Sequence, residues 1–221
     1  MPIRRAALCS PCDGRSCLTG KITRKRLFKA KGRDYRLSGS LSIPAAKQRT
    51  SPTGTLRRST SHRDYHQVLS DLGPKATEVS YIPGHLFPVN PFTPSGWTSC
   101  LPSTNASSRI HVQNDAIGRV GVVMVGTTCV GRMSLAFHEH VTNRKFRRRE
   151  SFELAAGVPC RCGDELGMFN LGSTVVMVIS NPEFKFEAGL TAGQPCGWAS
   201  CSGAFEARED RRRLVRYPRV V

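Results

Sequence analysis

Short apolar runs separated by glycine and proline are the feature that most restricts the fold of this 221-residue chain. The clearest runs, Gly118–Gly126 and Val175–Ile179, are rich in β-branched residues and are typical of buried strands. No long stretch has the apolar period of an amphipathic helix. With 20 Gly and 14 Pro, the sequence predicts a mainly β (α+β) fold, a compact barrel-like or sandwich-like sheet domain with a few short helices.

The net charge of +17 is concentrated at one end of the chain. Residues 1–60 carry 15 Lys and Arg against 2 Asp and Glu, so the remaining 161 residues hold only a small excess. The charge is compatible with contact to phosphates or to an anionic membrane surface. The basic and aromatic motifs of nucleic-acid-binding modules are lacking, and we expect no nucleic-acid partner.

The cysteines favour a reducing compartment, since there are nine of them, an odd number, and no secretory signal precedes them. Cys9 and Cys12 have metal-like spacing, and Cys160 and Cys162 form a second close pair. Neither pair has the partners of a structural zinc site, so no metal is expected. No run approaches the 18 apolar residues that span a bilayer, and any membrane contact should be peripheral.

A small Gly-Ser-Thr step, Gly172 to Thr174, lies between a glycine-punctuated run that starts at Gly163 and the apolar run at Val175–Ile179. This order places a hydroxyl at the mouth of a buried strand. The plainer interpretation is a Ser/Thr turn into a core strand. The chemical interpretation is that Ser173 Oγ attacks the Gly172 carbonyl, which converts the amide into an ester and leads to chain cleavage.

Alternation over Arg63–Leu69 predicts a strand in which Asp64 and His66 share a face. A histidine beside a carboxylate on its own face is a candidate for proton transfer, although a single histidine is more often structural.

Five segments, in the same order, resemble elements of the phosphatidylserine decarboxylase family, the pyruvoyl-dependent enzymes that make phosphatidylethanolamine. Each motif is short, and the colinear order makes the resemblance specific. The segments are Ser10-Pro-Cys-Asp-Gly14, Asp64-Tyr-His66, Tyr81-Ile-Pro-Gly-His-Leu-Phe-Pro-Val-Asn90, Val125-Gly-Thr-Thr-Cys-Val-Gly131, and Gly163–Ile179 with its Leu-Gly-Ser-Thr step.

The resemblance implies self-cleavage between Gly172 and Ser173, which gives a β chain of residues 1–172 and a shorter α chain. It also implies that Ser173 becomes a pyruvoyl cofactor, to which the substrate amine is joined as a Schiff base before carbon dioxide leaves. Asp13, His66 and Ser173 match family catalytic residues. Asp13 would orient or polarise, His66 would transfer protons, and no metal would be required.

One position departs from the family pattern, which runs Asp-Tyr-His-x-x-His. The second histidine, assigned in the family to the cleavage relay, is Leu69 here. Leucine cannot accept the proton of Ser173, so three alternatives stay open. His66 substitutes for it, processing is slow or assisted, or the chain is an inactive or non-enzymatic paralogue that acts as a lipid-binding or partner subunit.

The resulting domain assignment has four parts. A basic amino-terminal part of the catalytic domain covers 1–37, a flexible linker or insertion 38–61, the catalytic β domain 62–202, and a basic tail 203–221. The expected partner is phosphatidylserine in an anionic membrane, and a homodimer is left open. The expected location is peripheral, on the mitochondrial inner membrane or another endomembrane.

Overall fold

A computed structural model describes residues 4–22, 26–30, 33–36, 54–60, 67–70, 75–86, 107–114, 117–127, 131–139, 142, 148–170, 174–181, 184–186, 194–197 and 201–207. These residues form strands, turns and bends, with no helix among them. The mainly β prediction is therefore confirmed, and the few short helices it included are not found in this part of the chain. No helix long and apolar enough to cross a membrane occurs there either.

Sixteen strands are present in the described residues. They are β1 Arg4–Cys9, β2 Gly14–Ile22, β3 Arg26–Ala30, β4 Arg33–Arg36, β5 Gly54–Thr60, β6 Gln67–Leu69, β7 Lys75–Ile82, β8 Ser107–Asn114, β9 Gly118–Val125, β10 Met133–Leu135, β11 Glu150–Pro159, β12 Glu165–Phe169, β13 Thr174–Ile179, β14 Lys185–Phe186, β15 Pro195–Cys196 and β16 Cys201–Ala207.

An eight-stranded sheet in the order β11-β7-β8-β9-β13-β5-β2-β15 forms the centre of the fold. Its pairings are antiparallel, so consecutive strands such as β7, β8 and β9 pair as direct neighbours. Smaller sheets have the orders β1-β16-β14, β10-β12-β6 and β3-β4. The predicted runs at Gly118 and Val175 are confirmed as β9 and β13, which pair with each other in the middle of the large sheet.

The two faces of the large sheet differ in composition because side chains alternate along each strand. One face, the core face, is apolar and buried, and it includes Ile110, Val122, Met124, Val175 and Met177. Burial of each such side chain contributes roughly 1.5–3 kcal/mol. The opposite face, here called the mixed face, combines valines with polar groups, all of them buried: Glu78, Ser80, Ser107, Arg109, His111, Val123, Val125, Thr174, Val176 and Val178.

Two predicted non-core segments contain strands. Residues 54–60, placed in the predicted flexible linker or insertion, form β5 between β13 and β2. Residues 203–207, placed in the tail, belong to β16, which pairs with β1. Residues 54–60 are mainly polar, whereas residues 203–207 are small or apolar apart from Glu206, and main-chain pairing with distant strands stabilises both segments. Residues 38–53 and 208–221 lie outside the described residues, so their assignment stays a prediction.

Candidate active site

The beginnings of β2 and β13 lie at the same edge of the large sheet. β5 lies between them and is antiparallel to both, and Thr60 of β5 is paired with Arg15 on one side and Thr174 on the other. Arg15 and Thr174 are thus two strand spacings apart, roughly 10 Å. Asp13 directly precedes β2, and Ser173, which lies outside the described residues, is bonded to Thr174. The topology therefore brings both chain positions to one edge.

The turn that carries Asp13 is held by buried polar groups. Ser10 is fully buried, and its Oγ donates a hydrogen bond to the Cys12 carbonyl at 2.8 Å. Asp13 itself is half-buried, so it is the residue of this turn that combines a carboxylate with partial access to solvent. Residues 11–13 form the bend that precedes β2.

Leu69 lies against this turn. Its backbone N–H donates a hydrogen bond to the Pro11 carbonyl at 2.7 Å. The side chain is half-buried at the end of β6. The position that the family pattern gives to the relay histidine is thus tied to the residue two before Asp13, and it carries a side chain without a proton-accepting atom.

The end of β6 also connects to the segment that leads toward the predicted cleavage site. Ser70 N–H donates to the Asp164 carbonyl, and Gly163 N–H donates to the Ser70 carbonyl, each at 2.7 Å. Strand β6 also contacts β12 directly. Gln67 Nε2 of β6 donates a hydrogen bond to Glu165 Oε2 at 2.9 Å, and Leu69 pairs with Glu165 in the β6–β12 ladder. The Asp13 turn, β6 and β12 therefore form one hydrogen-bonded unit.

The Gly-Asp-Glu motif forms a tight turn before β12. Gly163 has φ +92°, a conformation that glycine adopts without strain. Asp164 Oδ2 accepts a hydrogen bond from Arg161 N–H at 2.6 Å, while Asp164 N–H donates to the Arg161 carbonyl at 3.1 Å. Nearby Cys160 is buried, and burial raises the pKa of its thiol. These groups fix the start of β12, which runs toward residues 170–173.

Two buried polar side chains of the mixed face lack hydrogen-bond partners within the described part of the chain. Thr174 is 1% exposed, and its Oγ1 has no partner there. Arg109 is 3% exposed, and its Nε and Nη1 atoms likewise have no hydrogen-bond partner there. Burial, and then the nearby Arg149 charge, lower the pKa of Arg109 to about 9. Unfilled buried groups are uncommon because each one costs free energy.

Of the predicted site residues, the structure describes Asp13 and places it at the edge where β13 begins. His66, Gly172 and Ser173 lie outside the described residues, so their roles stay predictions. Arg109 and Thr174 were not predicted. The available signal was a single arginine inside the strand-like Ser107–Asn114 segment, but the sequence does not reveal which strand faces are buried. No group of three or more potential metal ligands occurs among the described residues.

Comparison with known proteins gives a consistent result. A family model described as phosphatidylserine decarboxylase matches residues 1–203. A phosphatidylserine decarboxylase proenzyme of Methylibium petroleiphilum is 33% identical over 199 residues, which cover 87% of this chain and 68% of that protein. The proenzyme of Brevibacillus brevis is 30% identical over 187 residues, covering 84% and 66%. The chain thus spans about two thirds of the length of these relatives.

Proposed function

The chain belongs to the phosphatidylserine decarboxylase family, and we propose that it converts phosphatidylserine into phosphatidylethanolamine and carbon dioxide. The observation that carries the proposal is the shared edge of the large sheet at which Asp13 lies and β13 begins. Hydrogen bonds from Leu69, at the end of β6, to Pro11 and from Ser70 to Asp164 join the Asp13 turn to the segment before β12. The names of the relatives, which are proenzymes, support activation by cleavage.

Activation would occur between Gly172 and Ser173. Ser173 Oγ attacks the Gly172 carbonyl carbon, the amide nitrogen takes up a proton, and the amide becomes an ester. Elimination then releases residue 172 as a carboxylate, and hydrolysis releases the nitrogen of residue 173 as ammonia and leaves a pyruvoyl group. The products are a β chain of residues 1–172 and an α chain of residues 173–221. Thr174, fixed in the buried strand β13, would anchor the new chain end.

A pyruvoyl group at residue 173 would supply a carbonyl that joins the substrate amine and accepts electrons when carbon dioxide leaves. The residues around this position fit such a group, because the unfilled Thr174 Oγ1 offers a buried hydroxyl beside it. Asp13 would orient and polarise the reacting groups from the neighbouring strand end. His66 would hold and transfer the proton that replaces the carboxylate.

A second candidate function is favoured by Leu69. A paralogue that keeps the fold without cleaving itself would serve as a lipid-binding or partner subunit. The hydrogen bond from Leu69 N–H to the Pro11 carbonyl places Leu69 next to the turn that carries Asp13, where a relay residue would be needed. In the active alternative, His66 accepts the Ser173 proton in its place, or processing is slow or assisted.

The membrane part of the proposal depends on charge. Residues 1–60, with 15 basic and 2 acidic residues, would contact an anionic bilayer, where each nearby Lys or Arg adds about 1 kcal/mol. Peripheral attachment to the mitochondrial inner membrane or another endomembrane, and assembly of a homodimer, are part of the same proposal.

The experiment is a decarboxylation assay on vesicles that contain phosphatidylserine. The purified protein should release carbon dioxide and form phosphatidylethanolamine. Treatment with borohydride, which reduces a ketone, should abolish the activity. Turnover that survives borohydride would refute the pyruvoyl mechanism, and absence of turnover in the fully cleaved protein would refute the decarboxylase function.

A further inference from the structure

Arg109 carries a buried charge, and two of its three side-chain nitrogens lack a hydrogen-bond partner in the described part of the chain. Its side chain is 3% exposed, and Nε and Nη1 have no partner within the described residues. An arginine does not escape the cost of burial easily, because its guanidinium stays charged in ordinary conditions. Buried charges are therefore normally paired. The arrangement is that of a binding group whose partner is an anion.

The position of Arg109 relates it to the candidate active site. Arg109 in β8 pairs with Val123 in β9, and Val123 pairs with Val176 in β13. Thr174 lies two residues before Val176 and therefore on the same, mixed face. Two strand spacings across the sheet and two residues along it separate the Cα atoms of Arg109 and Thr174 by roughly 12 Å. An extended arginine side chain is about half as long as this distance.

A second positive charge, Arg149, acts on Arg109. Arg149 precedes Ser151, which pairs with Ser80, the neighbour of Arg109 across the β7–β8 ladder. Burial and the Arg149 charge both lower the Arg109 pKa, so both disfavour the charged form until an anion enters. Acidic residues also lie in this region: Glu78 accepts a hydrogen bond from Ser151 Oγ at 3.0 Å, and Glu153 pairs with Glu78 in the β7–β11 ladder.

We propose that Arg109 binds the phosphate diester of the substrate headgroup and so determines specificity for a phospholipid. The inference rests on the proposed function. The substrate carries a carboxylate, an amine and a phosphate. The amine must meet the carbonyl at residue 173, and the carboxylate must leave from the adjacent carbon. An arginine on the carboxylate would stabilise the group that has to depart, whereas the phosphate is a few bonds away and remains unchanged in the reaction.

The test compares Arg109→Met and Arg109→Lys with Arg119→Met. Arg119 is an exposed arginine on β9, on the same face of the sheet, and it serves as the matched control. Self-cleavage is followed by intact mass, and KM and kcat are measured with phosphatidylserine in mixed micelles. Arg109→Met should cleave like wild type and raise KM roughly ten- to hundredfold, as expected for a lost hydrogen bond to a charged group. Arg109→Lys should give an intermediate KM, and Arg119→Met an unchanged one.

An unchanged KM in Arg109→Met, or a fall in kcat without a rise in KM, would overturn the proposal. If Arg109→Met does not fold, the KM of Arg109→Lys decides in the same way.

A binding experiment tests this inference independently of the proposed decarboxylase activity. The melting temperature is measured with glycerophosphoserine, with inorganic phosphate and with serine. Glycerophosphoserine should raise it in wild type and in Arg119→Met but not in Arg109→Met, even if the protein proves to be an uncleaved, inactive paralogue. A rise with inorganic phosphate but not with glycerophosphoserine would assign the site to free phosphate and overturn the headgroup proposal. An equal rise with serine alone would indicate a carboxylate site and overturn it as well.

Discussion

Removal of the Arg109 charge should stabilise the ligand-free protein. Arg109→Met keeps most of the aliphatic volume of the side chain and removes a guanidinium that is buried with two unfilled nitrogens. Replacement of a buried ionic group by a well-packed apolar one is often stabilising by about 1–4 kcal/mol. We therefore expect that Arg109, which is proposed to bind the substrate, lowers the stability of the ligand-free folded protein.

The magnitude follows from the pKa of Arg109, which burial and then the Arg149 charge lower from the ordinary arginine value to about 9. One pKa unit corresponds to about 1.4 kcal/mol, so the charged form is destabilised by roughly 5 kcal/mol as an upper limit. Relaxation reduces this figure, and a gain of about 2 kcal/mol in Arg109→Met is a reasonable expectation. In a protein of this size, that gain corresponds to a rise of about 4–8 °C in melting temperature.

The pH dependence gives a second, sharper signature. Because the pKa of Arg109 in the folded protein, about 9, lies below its ordinary value in the unfolded chain, the unfolded state binds more protons above about pH 9. The destabilisation of wild type is therefore complete below pH 9 and decreases as the pH rises above it. The stability difference between Arg109→Met and wild type should be constant from pH 7 to 8 and should narrow above pH 9.

The assay is thermal and urea unfolding in phosphate-free buffer, with both variants in a Ser173→Ala background so that each unfolds as a single chain. Arg119→Met serves as the control and should stay within about 0.5 kcal/mol of its parent. A less stable Arg109→Met whose difference from wild type does not vary with pH would refute the reasoning, since it would mean that Arg109 is paired in the folded protein.

Two further predictions concern processing and the segment before the cleavage site. Leu69→His should accelerate self-cleavage by roughly 10²-fold or more if the missing relay base is limiting, as measured by the rate of chain splitting, with Leu69→Gln as a polar control that should stay slow. An unchanged rate in Leu69→His would mean that another group already accepts the proton. Gly167→Ala should lower the stability by about 1–3 kcal/mol, because its Cβ would lie 2.5 Å from the Ser134 carbonyl oxygen, where β10 pairs with β12. Gly197→Ala, whose Cβ meets nothing within 4 Å, should unfold like wild type. Equal effects of the two glycine substitutions would contradict the close β10–β12 contact.

The strands that could be predicted from sequence were those with a recognisable run of β-branched, apolar residues. The β-branched runs at Gly118 and Val175 became β9 and β13, because a strand in the middle of a sheet is buried on both faces. Strand β7 ends at Ile82, directly before Pro83, since proline cannot donate to a strand ladder.

Strands whose stability comes from distant partners were missed. β5, Gly-Thr-Leu-Arg-Arg-Ser-Thr, has a polar composition, yet it is paired on both sides, with β13 and with β2. Its composition resembles that of a loop, and only the partner strands reveal its place. The buried Arg109 was missed for a related reason, because burial of the mixed face depends on how the sheet is covered and leaves no periodic signal in the chain.

The candidate site was predictable only in part. Family motifs predict Asp13 and the Gly172–Ser173 step as site residues, and the structure places Asp13 at the edge where β13 begins. The hydrogen bonds that join Pro11, Leu69, Ser70 and Gly163 could not be predicted, because the residues are far apart in sequence and interact through main-chain atoms.

Self-cleavage between Gly172 and Ser173 is tested most directly by the intact mass of the purified protein under denaturing conditions. We expect two chains, residues 1–172 and a shorter chain that starts at residue 173 with a pyruvoyl group in place of the serine. Ser173→Ala should remain a single uncut chain. A wild-type protein that remains a single chain of 221 residues, or one cut at another bond, would contradict it.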